Sequence, residues 1–216
     1  MQEYHKIETL FARDMEGTKK LIIGKYRNET VDFLKSLEWE WTEKIDGTNI
    51  RVLWNGHTVS FAGRTDRAQI PADLVNKLNS YFGGESNAQI FEQAFGEKEV
   101  LLFGEGYGAK IQKGGGNYIP YGVDFALFDV MIGGNYQPRS AVESIASMFG
   151  VHLVPVVGCG PLNDAVAFVQ SHPHSAMNGA ELHEMEGVVC RPKLELLDRC
   201  GNRVIVKIKW EDFKNA

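Results

Sequence analysis

The chain has 216 residues, 44% of them apolar and four of them tryptophan, enough for one domain with a sizeable core. No run of about 18 apolar residues is present, so no membrane span is expected, and the opening Met1-Gln2-Glu3-Tyr4-His5-Lys6 lacks the apolar stretch of a secretory signal. A net charge of −5 argues against a broad basic nucleic-acid footprint. Three cysteines without a Cys-x-x-Cys pair argue against a disulfide framework or a zinc site and for a reducing, cytoplasmic setting.

Residues 1–36 hold a short apolar piece, Leu21-Ile22-Ile23, and a helix or turn over 29–37. Lys19, Lys20, Lys25 and Arg27 cluster there and read as solvated surface. Leu37, Trp39 and Trp41 mark a strand that leads into Glu43-Lys44-Ile45-Asp46-Gly47-Thr48-Asn49-Ile50. A second apolar run over 50–54 follows, so Asp46-Gly47 reads as a tight turn between paired strands. Lys44 at that edge, screened by tryptophans, is placed to be a nucleophile. An amine attacks only when unprotonated, which needs partial desolvation or nearby positive charge. Asn55-Gly56 predicts a hairpin into a strand over 58–62, which ends in Gly63-Arg64-Thr65. Leu74, Val75, Leu78 and Phe82 predict a helix over 71–82, and a shorter one is expected over 88–95.

The strand over 99–108 ends in Phe103-Gly104-Glu105-Gly106-Tyr107-Gly108. A carboxylate closing a buried run is costly unless paired or used, and glycines let a ligand approach the backbone. The glycine-rich stretch 113–117 lacks phosphate-loop spacing and predicts a mobile loop. Residues 123–131 read as a strand whose period of two puts Phe125, Leu127 and Asp129 on one face and Phe128 on the other. Ser140-Ala141-Val142-Glu143 reads as a capping box for a helix over 138–150. Val142, Ile145, Met148 and Phe149 form its buried stripe, and Gly150 is its stop. A strand over 151–157 and a helix over 163–170 follow. His172, His174 and His183 fit no metal-ligand spacing. Glu186 opens an acid-Gly-Val-Val strand, with Glu184 out of register. In the last strand, 203–210, Val204, Val206 and Ile208 point one way while Ile205, Lys207 and Lys209 point the other. Two lysines on one strand face repel unless an anion lies near them.

Taken in order, Lys44-x-Asp46-Gly47, the 103–108 phrase, Phe128-Asp129, Glu186-Gly187-Val188-Val189 and Lys207-x-Lys209 resemble the motifs of the covalent nucleotidyltransferases: DNA ligases, RNA ligases and capping enzymes. Asn49 stands where DNA ligases and capping enzymes usually carry arginine, and Glu43-Lys44-x-x-Gly47-Thr48-Asn49 is similar to RNA ligases of the RNA ligase 2 type. The resemblance implies an α+β fold of two mostly antiparallel β-sheets with flanking helices and the nucleotide bound between them. It implies one nucleotidyltransferase domain over 1–216 with no appended C-terminal domain. Lys44 would attack the α-phosphate of ATP to form lysyl-AMP, with Lys207 and Lys209 on that phosphate. Glu43, Ile45, Asn49, Arg64, Glu105, Phe128 and Glu186 would bind the nucleotide, the adenine stacking on Phe128. Asp46, Glu105 and Glu186 would hold Mg²⁺ or Mn²⁺, the first two by ordering its water. AMP would then pass to a 5′-phosphate RNA end, which is sealed to a 3′-hydroxyl in a nicked duplex, a repair reaction. Two alternatives stay open: a minimal ATP-dependent DNA ligase, and an adenylyltransferase that needs a partner chain for nucleic-acid binding. A non-catalytic nucleotide-binding module is disfavoured, because every charged residue the chemistry requires is present.

Overall fold

The computed structural model describes residues 1–177 and 182–214. In chain order the elements are β1 (Glu8–Thr9), β2 (Phe11–Arg13), β3 (Leu21–Tyr26), α1 (Glu29–Leu34), β4 (Trp39–Glu43), β5 (Thr48–Trp54), β6 (Val59–Ala62), α2 (Ala72–Phe82) and α3 (Gly84–Phe95). There follow β7 (Val100–Gly108), α4 (Gly115–Tyr118), β8 (Val123–Ile132), β9 (Asn135–Tyr136), α5 (Arg139–Phe149), β10 (His152–Leu153), β11 (Val156–Gly160), α6 (Leu162–Gln170), β12 (Gly187–Pro192), β13 (Val206–Lys209) and a 3₁₀ turn at Trp210–Phe213. This is the expected α+β class, with mostly antiparallel sheets. No helix among the described residues is long and apolar enough to cross a membrane. The elements divide into two compact units, each built on one main sheet.

The first unit takes residues 1–5 and 46–154. Its sheet runs β10-β8-β7-β5-β6, antiparallel except for β10 beside β8, with β9 on the edge of β8. One face is covered by helices. Leu74, Leu78 and Phe82 of α2, spaced one turn apart, are fully buried against Ile50, Leu102 and Phe125 of the sheet. α3 starts at Gly84, four residues before the apolar period predicts, because Gly83 closes α2 through a bond to Asn79 O and serves at once as the N-cap of the next helix. α5 is capped differently from expectation. Pro138 is its N-cap, Ser140 lies inside the helix, and Glu143 accepts from Arg139 Nε at 3.1 Å instead of reaching back. Ala146 takes the buried place expected for Met148, which is 42% exposed. Gly150 ends the helix in the left-handed region, φ 64°, as predicted.

Two corrections in this unit bear on the site. Residues 113–117 are not wholly a loop: Gly115 to Tyr118 make a helical turn. Gly115 is there for proximity, since a Cβ would strike the Gly108 carbonyl. In β8 the simple alternation fails at Phe128. Phe103 faces Asp129 and Gly104 faces Leu127, which leaves Phe128 as the extra residue of a β-bulge. Asp129 is thereby moved off the face of Phe125 and Leu127. Its carboxylate instead accepts from Tyr4, which packs on Phe103 and Phe128 on the side away from the helices.

The second unit takes residues 6–45, 155–177 and 182–214 among those described. Its sheet runs β1-β13-β12-β4-β11, with β1 parallel to β13. Trp39, Trp41, Val188, Cys190, Val206 and Ile208 bury one face against Leu162, Ala165 and Val169 of α6. β2 and β3 form a separate hairpin. The strand expected over 151–157 is two strands: β10 belongs to the first unit and β11 to the second, with the change at Val154-Pro155. Asp46-Gly47 does not make a hairpin. β4 pairs with β11 and β12, while β5 pairs with β6 and β7. Gly47 has no positive φ; a Cβ there would meet the Gly106 carbonyl and the Glu105 side chain, so the glycine serves close packing and not a turn.

Candidate active site

In the second unit the charged residues gather at the end of β4, β12 and β13. Alternation along β4 sends Trp39, Trp41 and Glu43 into the buried face and leaves Glu40 and Thr42 on the other. The tryptophans therefore pack in the core and do not screen Lys44. Lys44 stays tied to β12 through its backbone N–H, which donates to Gly187 O at 2.9 Å. Its ammonium lies 2.5 Å from one oxygen of Glu186, and Lys209 Nζ lies 2.6 Å from the other. Lys209 also meets Glu211 at 3.1 Å. Gly187 faces Lys209 across the ladder, and a Cβ there would strike Ile208 O. The glycine after the acid thus lets β13 come close enough for Glu186 to bridge both lysines. Trp210 N–H holds the Glu186 carbonyl at 3.0 Å.

Burial holds the Lys207 ammonium below the ordinary lysine range, and the charges of Lys209 and Lys44 add to this against the pull of Glu8 and Glu186. For Lys209 burial acts the same way but is outweighed by Glu186 and Glu211, so it stays above that range. Lys44, Lys207 and Lys209 thus form a cationic face bridged by one carboxylate, an arrangement fitted to an anion. Glu43 lies elsewhere. It is 1% exposed and accepts from Ser175 Oγ at 2.6 Å and Ala176 N at 2.7 Å. Burial raises its pKa, while these donors and His183 lower it in part. Ile45 is also buried, at 3% exposure. Glu184, the acid out of register, pairs with His172 at 3.5 Å.

In the first unit three expected residues share the sheet face away from the helices. Asn49 and Glu105 are cross-strand partners on β5 and β7, and Phe128 stands at the bulge of β8. Asn49 Oδ1 is buried without a hydrogen-bond partner among the described residues, an unusual cost for a folded protein. Asp46 N–H donates to Tyr118 Oη at 3.3 Å. Phe128 is half buried, with Tyr4 edge-on at 5.1 Å. Asp129 is 2% exposed and accepts from Tyr4 Oη at 2.5 Å. Arg64 is exposed and makes no ion pair or hydrogen bond among the described residues. Arg51 is fully buried and donates to Gly63 O, Met1 O and Asp66.

Tyr4, Arg51 and Tyr118 are the residues that sequence reasoning missed. Only Tyr118 left a trace, as an aromatic closing a glycine run. Among the described residues no three or more His, Cys, Asp or Glu form a metal cage. A divalent cation that keeps its waters needs only one or two carboxylates and a phosphate; Glu186 in the second unit has that chemistry, as do Asp46 and Glu105, taken separately, in the first. The Asn49 oxygen of the first unit, without a partner among the described residues, suits a polar ligand, and the cationic face of the second unit suits an anion.

The RNA ligase family model matches residues 37–209, which contain every site residue that the sequence predicts, from Glu43 to Lys209. Solved structures of Naegleria gruberi RNA ligase share the fold. One with PPi is 20% identical, with a TM-score of 0.61 over 85% of this chain and 52% of that one. A variant with ATP and Mn is 19% identical, with a TM-score of 0.63 over 96% and 62%. The chain therefore spans little more than half the length of the ligases it matches. With the family model covering most of its length, the chain belongs to the RNA ligase family.

Proposed function

We propose that the chain is the nucleotidyltransferase of an ATP-dependent RNA ligase that works through lysyl-AMP. The observation that carries this is the Glu186 carboxylate bridging Lys44 and Lys209, with Lys207 beside them. Lys44 Nζ, as the free amine, attacks the α-phosphorus of ATP, the bond to pyrophosphate breaks, and the nitrogen gives up one proton to water as the P–N bond forms. Lys207 and Lys209 place positive charge where the α-phosphate oxygens gain negative charge. A bound Mg²⁺ or Mn²⁺ supplies the rest of the charge neutralisation; Glu186 would hold it, and Asp46 and Glu105 would order its waters. Asn49 and Glu105 offer polar atoms to the nucleotide, and Phe128 offers a ring face to the base. AMP then passes to a 5′-phosphate RNA end, and a 3′-hydroxyl displaces it to seal the strand. Family membership and Asn49 in place of arginine support RNA over DNA.

Incubation with α-labelled ATP and Mg²⁺, followed by denaturing electrophoresis, should show an acid-labile adduct that is absent from Lys44→Ala. An adduct in that variant would overturn the reading. Nicked duplexes differing only in ribose or deoxyribose at the 3′-hydroxyl end should be sealed faster with ribose. Faster sealing with deoxyribose would favour a DNA ligase. Adduct without any sealing would point to a partner chain.

A further inference from the structure

We infer that the β2–β3 hairpin is a contact for the phosphate backbone of the RNA; this rests on the RNA ligase reading. Residues 11–27 carry Arg13, Lys19, Lys20, Lys25 and Arg27 against only Asp14 and Glu16, in a chain whose net charge is −5. Arg27 is paired with Glu8 and Arg13 with Asp212. Lys19, Lys20 and Lys25 are exposed and make no ion pair among the described residues. Ile22 to Lys25 are exposed one after another, so the middle of β3 is bare on both faces.

A two-stranded ribbon is marginal by itself, but this one is anchored at its base, where Phe11, Leu21 and Tyr26 pack on the core of the second unit, and its tip is firmly built. Asp14 accepts from the backbone N–H of Gly17 and Thr18, at 3.0 and 2.8 Å. Lys19 is held at φ 58°, rare for a residue with a side chain, by its bond to Asp14 O and by Arg13 donating to its carbonyl. A strained lysine fixed in this way presents its neighbours in one arrangement and lowers the ordering cost of binding.

Its place favours this partner. The hairpin grows from β1, whose Thr9 lies beside Lys207, and Leu10 N–H donates to Lys207 O at 3.0 Å. Arg13 ties its other side to Asp212, in the turn directly after Lys209. A strand whose end is held at Lys207 and Lys209 would continue along this ribbon. Three exposed lysines offer positive charge to backbone phosphates, and binding them releases counterions.

The test uses the full chain with Lys19, Lys20 and Lys25 all changed to Gln, and separately all to Arg. Binding of a nicked RNA duplex is read by anisotropy across KCl concentrations, and adduct formation is read in parallel. The Gln variant should form adduct as the wild type does. Its plot of log affinity against log salt should be shallower by about two to three, and the Arg variant should restore the slope. An unchanged slope overturns the inference. So does loss of adduct in the Gln variant, which would assign these lysines to the fold or the nucleotide, and so does a wild type that binds no nicked RNA. A wild type that binds RNA with the expected slope yet forms no adduct would instead refute the ligase reading.

Discussion

The end of β4, β12 and β13 and the open face of the six-stranded sheet meet opposite demands. At the first, charges answer one another: Glu186 spans Lys44 and Lys209, and burial with like charge weakens Lys207. At the second, the constraints are steric. Gly47 lies where no Cβ fits, Arg51 is buried whole, and an amide oxygen of Asn49 lacks a partner among the described residues. Substitutions at the charged end should therefore alter chemistry with little effect on folding. Those on the sheet should separate into residues that serve the ligand and residues that serve the fold.

The comparison breaks most visibly at Glu186. Glu186→Ala should slow adduct formation by about 10²–10³-fold, the scale of losing one electrostatic catalytic contact. Glu184→Ala should change it less than about twofold, since the exposed Glu184 carboxylate pairs with the half-exposed His172. Equal effects measured by single-turnover labelling would show that the bridge is structural. Next comes Phe128→Leu. It should raise the ATP requirement by about 5–150-fold, equivalent to roughly 1–3 kcal/mol of base–ring stacking, with an unchanged melting temperature. A fall in melting temperature with normal nucleotide affinity would place Phe128 in the small core with Tyr4 and Phe103.

Gly104→Ala tests the steric side. The new Cβ would strike the Phe125 ring and the Ala126 carbonyl. The cost should be about 3 kcal/mol, read as a melting temperature lower by about 6–12 °C. The smallest effect is expected at Lys207→Met. The folded pKa of Lys207 lies below its ordinary 10.5, so between the two values the unfolded chain binds more protons and stability rises with pH. Below that window the penalty is constant. Lys207→Met should remove it, raising the melting temperature at pH 7 by about 1–2 °C and flattening its rise at alkaline pH, while adduct formation falls. A lower melting temperature at pH 7 would show that Lys207 is well paired in the fold.

The helices and most strands were legible because their cause is local. Leu74, Leu78 and Phe82 repeat at helical spacing whatever they face, and Gly150 stops α5 through its own backbone freedom. The misreadings share a reason too. Asp46-Gly47, 113–117 and Phe128 each take their conformation from a distant strand or backbone, through Gly106, Gly108 and Gly104 respectively. Ser140 failed as a cap because Pro138 caps the helix two residues sooner, leaving Ser140 inside its first turn.

By itself the sequence determined the α+β class, the RNA ligase character and the order of charged residues along the chain, because side-chain chemistry and short periods are written residue by residue. Only the tertiary structure decided which of those charges meet. Glu186 bridges Lys44 and Lys209 because the β12–β13 register sets Gly187 against Lys209, and Glu43 turns away because β4 alternates. Register is a relation between segments far apart in the chain, set by which faces can be buried together.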